Sequence, residues 1–182
     1  MIPDSLQKMI ERLFDHFKDI PVASVPFSPE VRKMCEQNAC GNYGKCWTCP
    51  PAVGAYDALL SQKAGFQRFV VVDKVYALED SFDWEGMVQS ARDFQSRILE
   101  IKKTIQKDCP EFAFLALGAG TCKICPRCTF PEREPCRNPD LAIISVEAFG
   151  IDVTKMMSDN GMAYNHGSQT VTYIGGLFHT IG

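Results

Sequence analysis

The distribution of the cysteines constrains this chain more than any other feature of its sequence. Eight of the nine cysteines fall in two windows of 15 residues, and the 72 residues between the windows hold only Cys109. The first group is Cys35, Cys40, Cys46 and Cys49, and the second group is Cys122, Cys125, Cys128 and Cys136. Clustered thiolates are typical of metal ligands, whereas disulfide frameworks belong mainly to small secreted domains with insufficient cores. The spacing therefore predicts two cysteine-ligated metal sites.

The composition is that of an ordinary globular protein. The chain has 182 residues, of which 46% are hydrophobic and 23% charged, so we expect a single domain over residues 1–182. A formal net charge of −3 gives no reason to expect a nucleic-acid partner. The sequence has neither an apolar run of membrane-spanning length nor a secretory signal pattern. We therefore expect a cytoplasmic protein, without a membrane anchor, whose cysteines stay reduced.

The spacing of apolar residues predicts two long amphipathic helices. A stripe at three- and four-residue intervals over residues 6–17 indicates a first helix, capped by Asp4 or Ser5. The same period recurs over residues 83–107 and indicates a second, longer helix. Three prolines within residues 20–29 predict an extended or looped segment that leads to the first cysteine group.

Apolar and β-branched segments predict strands at residues 69–76, 112–117 and 170–178. The second predicted helix lies between the first two of these strands, and this order of strand, helix and strand predicts that the two strands pair in parallel. Residues 141–146 fit either a short strand or the start of a helix, and Asp152 is placed to cap a helix that ends at an Asn-Gly pair. We expect an α/β or α+β fold, with a mixed or parallel sheet flanked by helices and carrying both cysteine loops.

The second cysteine group has the spacing of a bacterial ferredoxin. Cys122, Cys125 and Cys128 are separated by two residues each and are followed by Cys136, which resembles the run that ligates a 4Fe–4S cluster. In two-cluster ferredoxins the fourth cysteine serves the other cluster, so Cys136 could belong to either site. Four thiolates also suit zinc, but zinc ligands usually come as two separated pairs. The triple run therefore favours an iron–sulfur cluster, with zinc as the alternative.

The first cysteine group is less regular. Cys35, Cys40, Cys46 and Cys49 lie in a turn-rich segment with several glycines and two prolines, as expected of a tight loop around a site. Cys46 and Cys49 also match a redox dithiol pair, but no strand pattern precedes them as such pairs require. Zinc and iron–sulfur ligation fit this group about equally.

The remaining chemistry-bearing residues have weaker patterns. Glu147 could be an acid near the metal site, although a solvated or capping carboxylate is the commoner role for such a residue. Gly118 to Gly120 lacks the third glycine of a dinucleotide motif and indicates a turn into the second cysteine loop. The three histidines have no ligand spacing; they are His16, His166 and His179. No catalytic residue is predicted.

Taken together, the motifs resemble a known family. They are Cys35-x4-Cys40 with Tyr43-Gly44, Cys49-Pro50-Pro51, Leu117-Gly118-Ala119-Gly120-x-Cys122-x2-Cys125-x2-Cys128, Cys136-Arg137-x-Pro139, and Ser145-x-Glu147-Ala148-x-Gly150-Ile151-Asp152-Val153. This set, from about Val31 to Gly161, resembles the predicted metal-binding proteins labelled domain of unknown function 2284. The resemblance implies metal binding. Because the family pattern often lacks a cysteine at position 46, it also implies a first site with three protein thiolates.

The functional expectation follows from the number of thiolates at each site. A cluster with four protein thiolates only passes electrons, whereas one with three leaves an iron open to another ligand. We expect one or two iron–sulfur clusters that act in electron transfer or in cluster-centred redox chemistry, with a protein or a small molecule as the redox partner. The alternative is a zinc-binding interaction module without a redox role.

Overall fold

The protein is built around one mixed sheet, in a computed structural model that describes residues 2–180. The strands are β1 (His16–Pro21), β2 (Arg68–Ala77), β3 (Phe114–Gly118), β4 (Ile144–Ser145) and β5 (Thr170–His179). They lie in the order β1-β2-β5-β3-β4 across the sheet. Neighbouring strands are antiparallel except β3 and β4, which are parallel.

Helices cover both faces of this sheet. The α-helices of residues 2–180 are α1 (Asp4–Leu13), α2 (Pro29–Glu36), α3 (Tyr56–Gln62), α4 (Trp84–Asp108), α5 (Val146–Phe149) and α6 (Val153–Asp159). Short 3-10 helices lie at Val22–Ser24, Lys63–Gly65 and Phe130–Glu132. The fold is therefore α+β, one of the two classes that the sequence predicted. None of the helices in the described range is long and apolar enough to cross a membrane.

Strand β2, which lies between β1 and β5, is buried on both faces. Val70 and Val72 pack with apolar side chains of α1 and α4 on one face of the sheet. Phe69 and Val71 pack with those of α5 and α6 on the other face. This double burial explains why the segment is continuously apolar instead of alternating. Each such side chain contributes about 1.5–3 kcal/mol of burial free energy.

Several sequence predictions are confirmed. The long helix is α4; its cap, which was not predicted, is the Asp83 carboxylate, which accepts a hydrogen bond from the N–H of Gly86 at 2.8 Å. The Asp152 carboxylate likewise caps α6 by accepting from the N–H of Lys155 at 2.9 Å. The three predicted strands are β2, β3 and β5, and residues 141–146 contain both β4 and the first residue of α5.

The prediction for the first helix is wrong at both ends. No side-chain hydrogen bond caps α1, whose N-cap residue is Pro3. The helix ends at Leu13, because Phe14 takes an extended backbone, and the predicted stripe continues into strand β1 as far as Phe17. Phe14, just after α1, and Phe17, on β1, face the same core as the helix, so their spacing imitates a helix.

The predicted parallel pairing is also wrong. β2 and β3 run in the same direction, but β5 lies between them and pairs antiparallel with both. Val71 of β2 is opposite Gly176 of β5, and Leu117 of β3 is opposite the same glycine on its other side. The crossover through α4 therefore leaves a gap one strand wide between β2 and β3, and β5 fills this gap.

Candidate metal centre

The first cysteine loop begins at the end of α2. The hydroxyl of Ser28 caps this helix by accepting from the N–H of Glu30 at 3.2 Å. The buried Arg32 donates to the carbonyl of Ala148 and, at 2.7 Å, to that of Gly54. Arg32 thus ties α2 to α5 and to the far end of the loop. Cys35 is consequently fixed in the last turn of α2.

Turns fold the rest of this loop back on itself. Asn38 adopts a positive φ of 54°, and its side-chain oxygen accepts from the N–H of Tyr43 at 2.9 Å. The N–H of Gly44 donates to the carbonyl of Pro50 at 2.9 Å, and the Pro50–Pro51 bond is cis. These local bonds place Cys40 and Cys49 on the same side of the loop, where both line one cavity.

The second cysteine loop begins where β3 ends. Gly118 lies so close to Gln95 of α4 that a Cβ atom there would come within 2.5 Å of the Gln95 side-chain oxygen. The Gln95 amide donates to the carbonyl of Ala119 at 2.6 Å, and Gly120 takes a positive φ of 65°. The predicted turn into the second cysteine loop is thereby confirmed, and α4 determines where the loop begins.

Trp47 and Thr48 of the first loop hold the second loop in place. The indole N–H of Trp47 lies 3.2 Å from both the Thr129 hydroxyl and the Glu134 carbonyl. The Trp47 ring also meets the edge of Phe130, with 5.0 Å between centroids. The N–H of Cys122 donates to the Thr48 hydroxyl at 3.2 Å. The two cysteine loops therefore form one structural unit.

Five of the eight cysteines line one small cavity, of about 30 Å³, between the loops. They are Cys46, Cys122, Cys125, Cys128 and Cys136. Two of the sulfur atoms accept hydrogen bonds from N–H groups. The backbone N–H of Trp47 donates to Cys128 Sγ at 3.4 Å, and the side-chain amide of Asn138 donates to Cys125 Sγ at 3.2 Å. We call this set the five-thiol site.

The other three cysteines line a larger cavity, of about 340 Å³. They are Cys35, Cys40 and Cys49, and the walls beside them are mainly apolar side chains such as Val31 and Met34. We call this set the three-thiol site. The sequence placed Cys46 with the first group, but the cavity that Cys46 lines is the one it shares with the second group.

Hydrogen bonds within the loops change the acidity of the cysteine thiols. The pKa of Cys46 is lowered by hydrogen bonds from the Cys49 thiol and from the Thr48 hydroxyl and N–H, against the opposing effect of burial. The pKa of Cys49 is raised by its hydrogen bond to Cys46 and by burial. Burial also raises the pKa of Cys35 and of Cys122. Cys46 is therefore the more acidic thiol of this pair, at the boundary of the two sites.

Glu147 also lines the three-thiol cavity, at the start of α5. Burial raises the pKa of this carboxyl, while hydrogen bonds from its own backbone N–H and the Ser145 hydroxyl oppose the rise. The sequence favoured a solvated or capping carboxylate here; the residue is half-buried, and its carboxylate accepts from its own N–H in the first turn of α5. The cap of α5 is the hydroxyl of Ser145, which accepts from the N–H of Ala148 at 3.1 Å.

The donor chemistry of both sites fits a thiophilic metal. Thiolates are the ligands of zinc and of iron–sulfur clusters, and N–H groups directed at sulfur stabilise the ligated form. Within residues 2–180, no three His, Cys, Asp or Glu side chains are already assembled as a group that could hold one metal ion. The ligand candidates are therefore identified by the cavities that they share.

Sequence reasoning missed one further cluster of titratable side chains. The rings of His16 and His166 stack at a centroid distance of 5.7 Å, although 149 residues separate them in the chain. Nδ1 of His16 lies 2.8 Å from Oδ1 of the buried Asp73, whose Oδ2 atom has no hydrogen-bond partner in the described part of the chain. Only strand pairing could reveal this cluster, because His16 is opposite Asp73 in the register of β1 and β2.

Comparison with known proteins supports the family resemblance. No curated protein and no solved structure matches the chain. A family pattern matches residues 18–179, a longer stretch than the motifs alone indicated, and includes both cysteine groups. The chain therefore belongs to the family described as "Predicted metal-binding protein (DUF2284)".

Proposed function

We propose that this protein is a cytoplasmic iron–sulfur redox protein whose two thiol sites differ in kind. The observation that carries the proposal is the convergence of five cysteines on one small cavity, with N–H groups directed at two of their sulfur atoms. Hydrogen bonds to sulfur and the burial of a cluster are the means by which proteins set its reduction potential. The five-thiol site thus has the features of an electron-transfer centre.

Each cysteine of the five-thiol site has a distinct role in this proposal. Cys122, Cys125 and Cys128 provide three ligands, because two-residue spacers let consecutive sulfurs converge on one cluster. Cys136 provides the fourth ligand. Cys46 is the additional thiol, which lies between the two sites and is held there by Thr48 at 3.3 Å. A 4Fe–4S cluster bound here would supply one-electron transfer.

The three-thiol site is suited to binding a further ligand. Three protein thiolates leave one metal position of a four-iron cluster without a protein sulfur. The adjacent cavity of about 340 Å³ gives room for a small molecule at that position. Apolar walls exclude water there, as in most small-molecule sites.

The charges around this cavity indicate the class of ligand. Glu147 lines the cavity, and neither a lysine nor an arginine is among its lining residues. The nearby Arg32 directs its guanidinium to backbone carbonyls. A carboxylate beside thiolates disfavours an anion. We therefore infer a small, largely apolar ligand that is neutral or cationic.

Metal and sulfide analysis of protein purified without oxygen tests the proposal. We expect iron and acid-labile sulfide in equal amounts, about four of each per cluster, and an electron paramagnetic resonance signal after reduction. Cys109 is half-buried against the core, so Cys109→Ser serves as a control with unchanged iron. Stoichiometric zinc without sulfide would overturn the proposal and favour a zinc-stabilised interaction module.

A further inference from the structure

Two open cavities adjoin the five-thiol site and have a basic lining. Their volumes are about 330 Å³ and 550 Å³, and they share Arg92, Cys122, Lys123 and Ile124. Lys103 lines the first cavity and Lys45 the second. We call the surface formed by Lys45, Arg92, Lys103 and Lys123 the basic groove.

No carboxylate that lines the two cavities neutralises the positive charge of the basic groove. Neither cavity has an aspartate or a glutamate among its lining residues. All four cations are exposed, and none of them forms one of the ion pairs found within residues 2–180. The chain as a whole carries a formal charge of −3. The groove is thus a local basic surface on an acidic protein.

The position of the groove connects it to the metal ligands. The second cavity is lined by Cys46, Cys122, Cys125 and Cys128 as well as by the cations. A molecule seated on the groove would therefore lie directly beside the five-thiol site. Electron transfer needs such proximity between two centres, and it needs no covalent contact.

The form of the groove favours a protein over a small anion. A built anion site usually offers buried backbone N–H groups or enclosed donors, whereas these four side chains are exposed and distributed along two open cavities. Exposed charges act mainly by steering a complementary partner and by selecting its orientation. A small protein with an acidic face fits that arrangement.

We propose that the basic groove docks a small acidic electron-carrier protein, which exchanges one electron with the metal centre of the five-thiol site. This proposal rests on the proposed function. In the reducing direction, one electron leaves the reduced carrier, which is thereby oxidised, and the metal centre held by the cysteines is reduced by that electron. No bond is formed or broken and no proton is required.

Charge reversal tests the docking surface. The test variant is Arg92→Glu with Lys123→Glu, and the matched control is Lys8→Glu with Lys107→Glu. The control residues are exposed lysines outside the groove, on α1 and α4, and both double variants change the net charge equally. The probe is a reduced, acidic 2Fe–2S ferredoxin, mixed with the oxidised metal-loaded protein in a stopped-flow instrument.

We expect the groove variant to be reduced about tenfold more slowly than the wild type at low ionic strength. The rate of the control variant should fall by less than a third of that decrease on a logarithmic scale. Added salt should slow the wild type and bring the three proteins to similar rates, because the Debye length falls from about 30 Å at 0.01 M to about 10 Å at 0.1 M. Iron, sulfide and circular dichroism should be equal in all three proteins.

Three results would overturn the proposal in distinguishable ways. Equal rates for the two double variants, with iron and sulfide present, would overturn the docking surface and leave the proposed function intact. Saturable binding of inorganic phosphate by calorimetry, together with unchanged ferredoxin kinetics, would replace the protein partner with a small anion. Zinc in place of iron and sulfide would overturn the proposed function and this proposal together.

Discussion

The backbone N–H of Trp47 donates to the sulfur of Cys128 at 3.4 Å, although the two are 81 positions apart in the chain. This bond crosses from the first cysteine loop to the second. The next residue, Thr48, makes a second crossing contact with the N–H of Cys122. The first loop thus supplies part of the surroundings of the second group of cysteines, and a change in either loop should affect both.

The Thr48 hydroxyl should stabilise the junction of the two loops. In Thr48→Val the N–H of Cys122 loses its partner, and an unpaired donor in a buried place costs about 1–3 kcal/mol. Thr48 is only 3% exposed. We expect the thermal unfolding midpoint to fall by about 2–4 °C for each kcal/mol lost from the free energy of unfolding. Thr154→Val changes an exposed threonine of α6 and should leave the midpoint nearly unchanged; equal shifts for the two variants would contradict the role of Thr48.

Replacement of individual cysteines should separate Cys136 from Cys46. We expect Cys136→Ser to lose the iron and sulfide of the five-thiol site, about half of the total if both sites are filled. Cys46→Ser should keep that iron, because Cys46 is the additional thiol in our assignment. The measurement is iron and sulfide per chain after anaerobic purification. The reverse pattern would make Cys46 the fourth ligand and Cys136 the additional thiol.

Glu147 should determine which small thiols enter the three-thiol cavity. Cysteamine and mercaptoacetate are similar in size but opposite in charge, and both bind metals through sulfur. We expect the wild type to bind cysteamine at least about fivefold more tightly, equivalent to about 1 kcal/mol, and Glu147→Gln to lose most of that preference. Changes in the visible and paramagnetic resonance spectra during titration report binding.

A control for this test is Glu36→Gln, since Glu36 is an exposed carboxylate at the end of α2. It should retain the preference of the wild type. Metal content must also be unchanged in both variants, so that a change in thiol binding cannot be due to a change in metal content. Equal affinity of the wild type for the two thiols would refute the assignment of the cavity to neutral or cationic ligands.

The buried Asp73 should reduce stability at neutral pH. Burial raises its pKa above the model-compound value of 3.8, more than the hydrogen bond and charge of His16 lower it. An acid whose folded pKa is raised is most favourable to folding below its unfolded pKa, and stability falls as pH rises through the folded value. We expect Asp73→Asn to be more stable than the wild type by about 1 kcal/mol at neutral pH.

The difference between Asp73→Asn and the wild type should decrease as the pH falls and vanish below the unfolded pKa of 3.8, since the wild-type carboxyl is then mainly protonated in both states. Urea unfolding curves at a series of pH values measure it. Glu111→Gln removes an exposed carboxylate and should show little effect. A variant less stable than the wild type at neutral pH would indicate that the contact of Asp73 with His16 outweighs the cost of burying its charge.

Removal of metal should loosen the second cysteine loop more than the sheet. Between Gly120 and Leu141 the loop has only the short 3-10 helix at 130–132, so it depends on Thr129, on Trp47 and on the metal ligands for its structure. With a chelator and a reductant present, hydrogen exchange should accelerate in residues 121–138. Amides of β2 and α4 should remain protected, because they are held by the core. Uniform acceleration throughout the chain would mean that the metal supports the whole fold.

Patterns within short stretches of sequence were sufficient for much of the fold. The long helix α4 and strand β2 follow from local periodicity and residue type, and Asp152 caps α6 as its position indicated. The first helix was predicted too long, since side chains that face one core keep a similar spacing when the chain passes from α1 into β1. The position of β5 between β2 and β3 has no local signature, because strand pairing joins distant residues.

The candidate metal centre, like the fold, was predictable from the sequence only in part. By itself the sequence determined which cysteines are the ligand candidates and, through the triple run from Cys122 to Cys128, which metal they favour. Only the tertiary structure decided how the thiols are shared, since Cys46 and Cys49 lie three residues apart but line different cavities. The two thiols are hydrogen-bonded to each other, and which further partners each of them meets depends on the loops brought together there by the sheet and by α4.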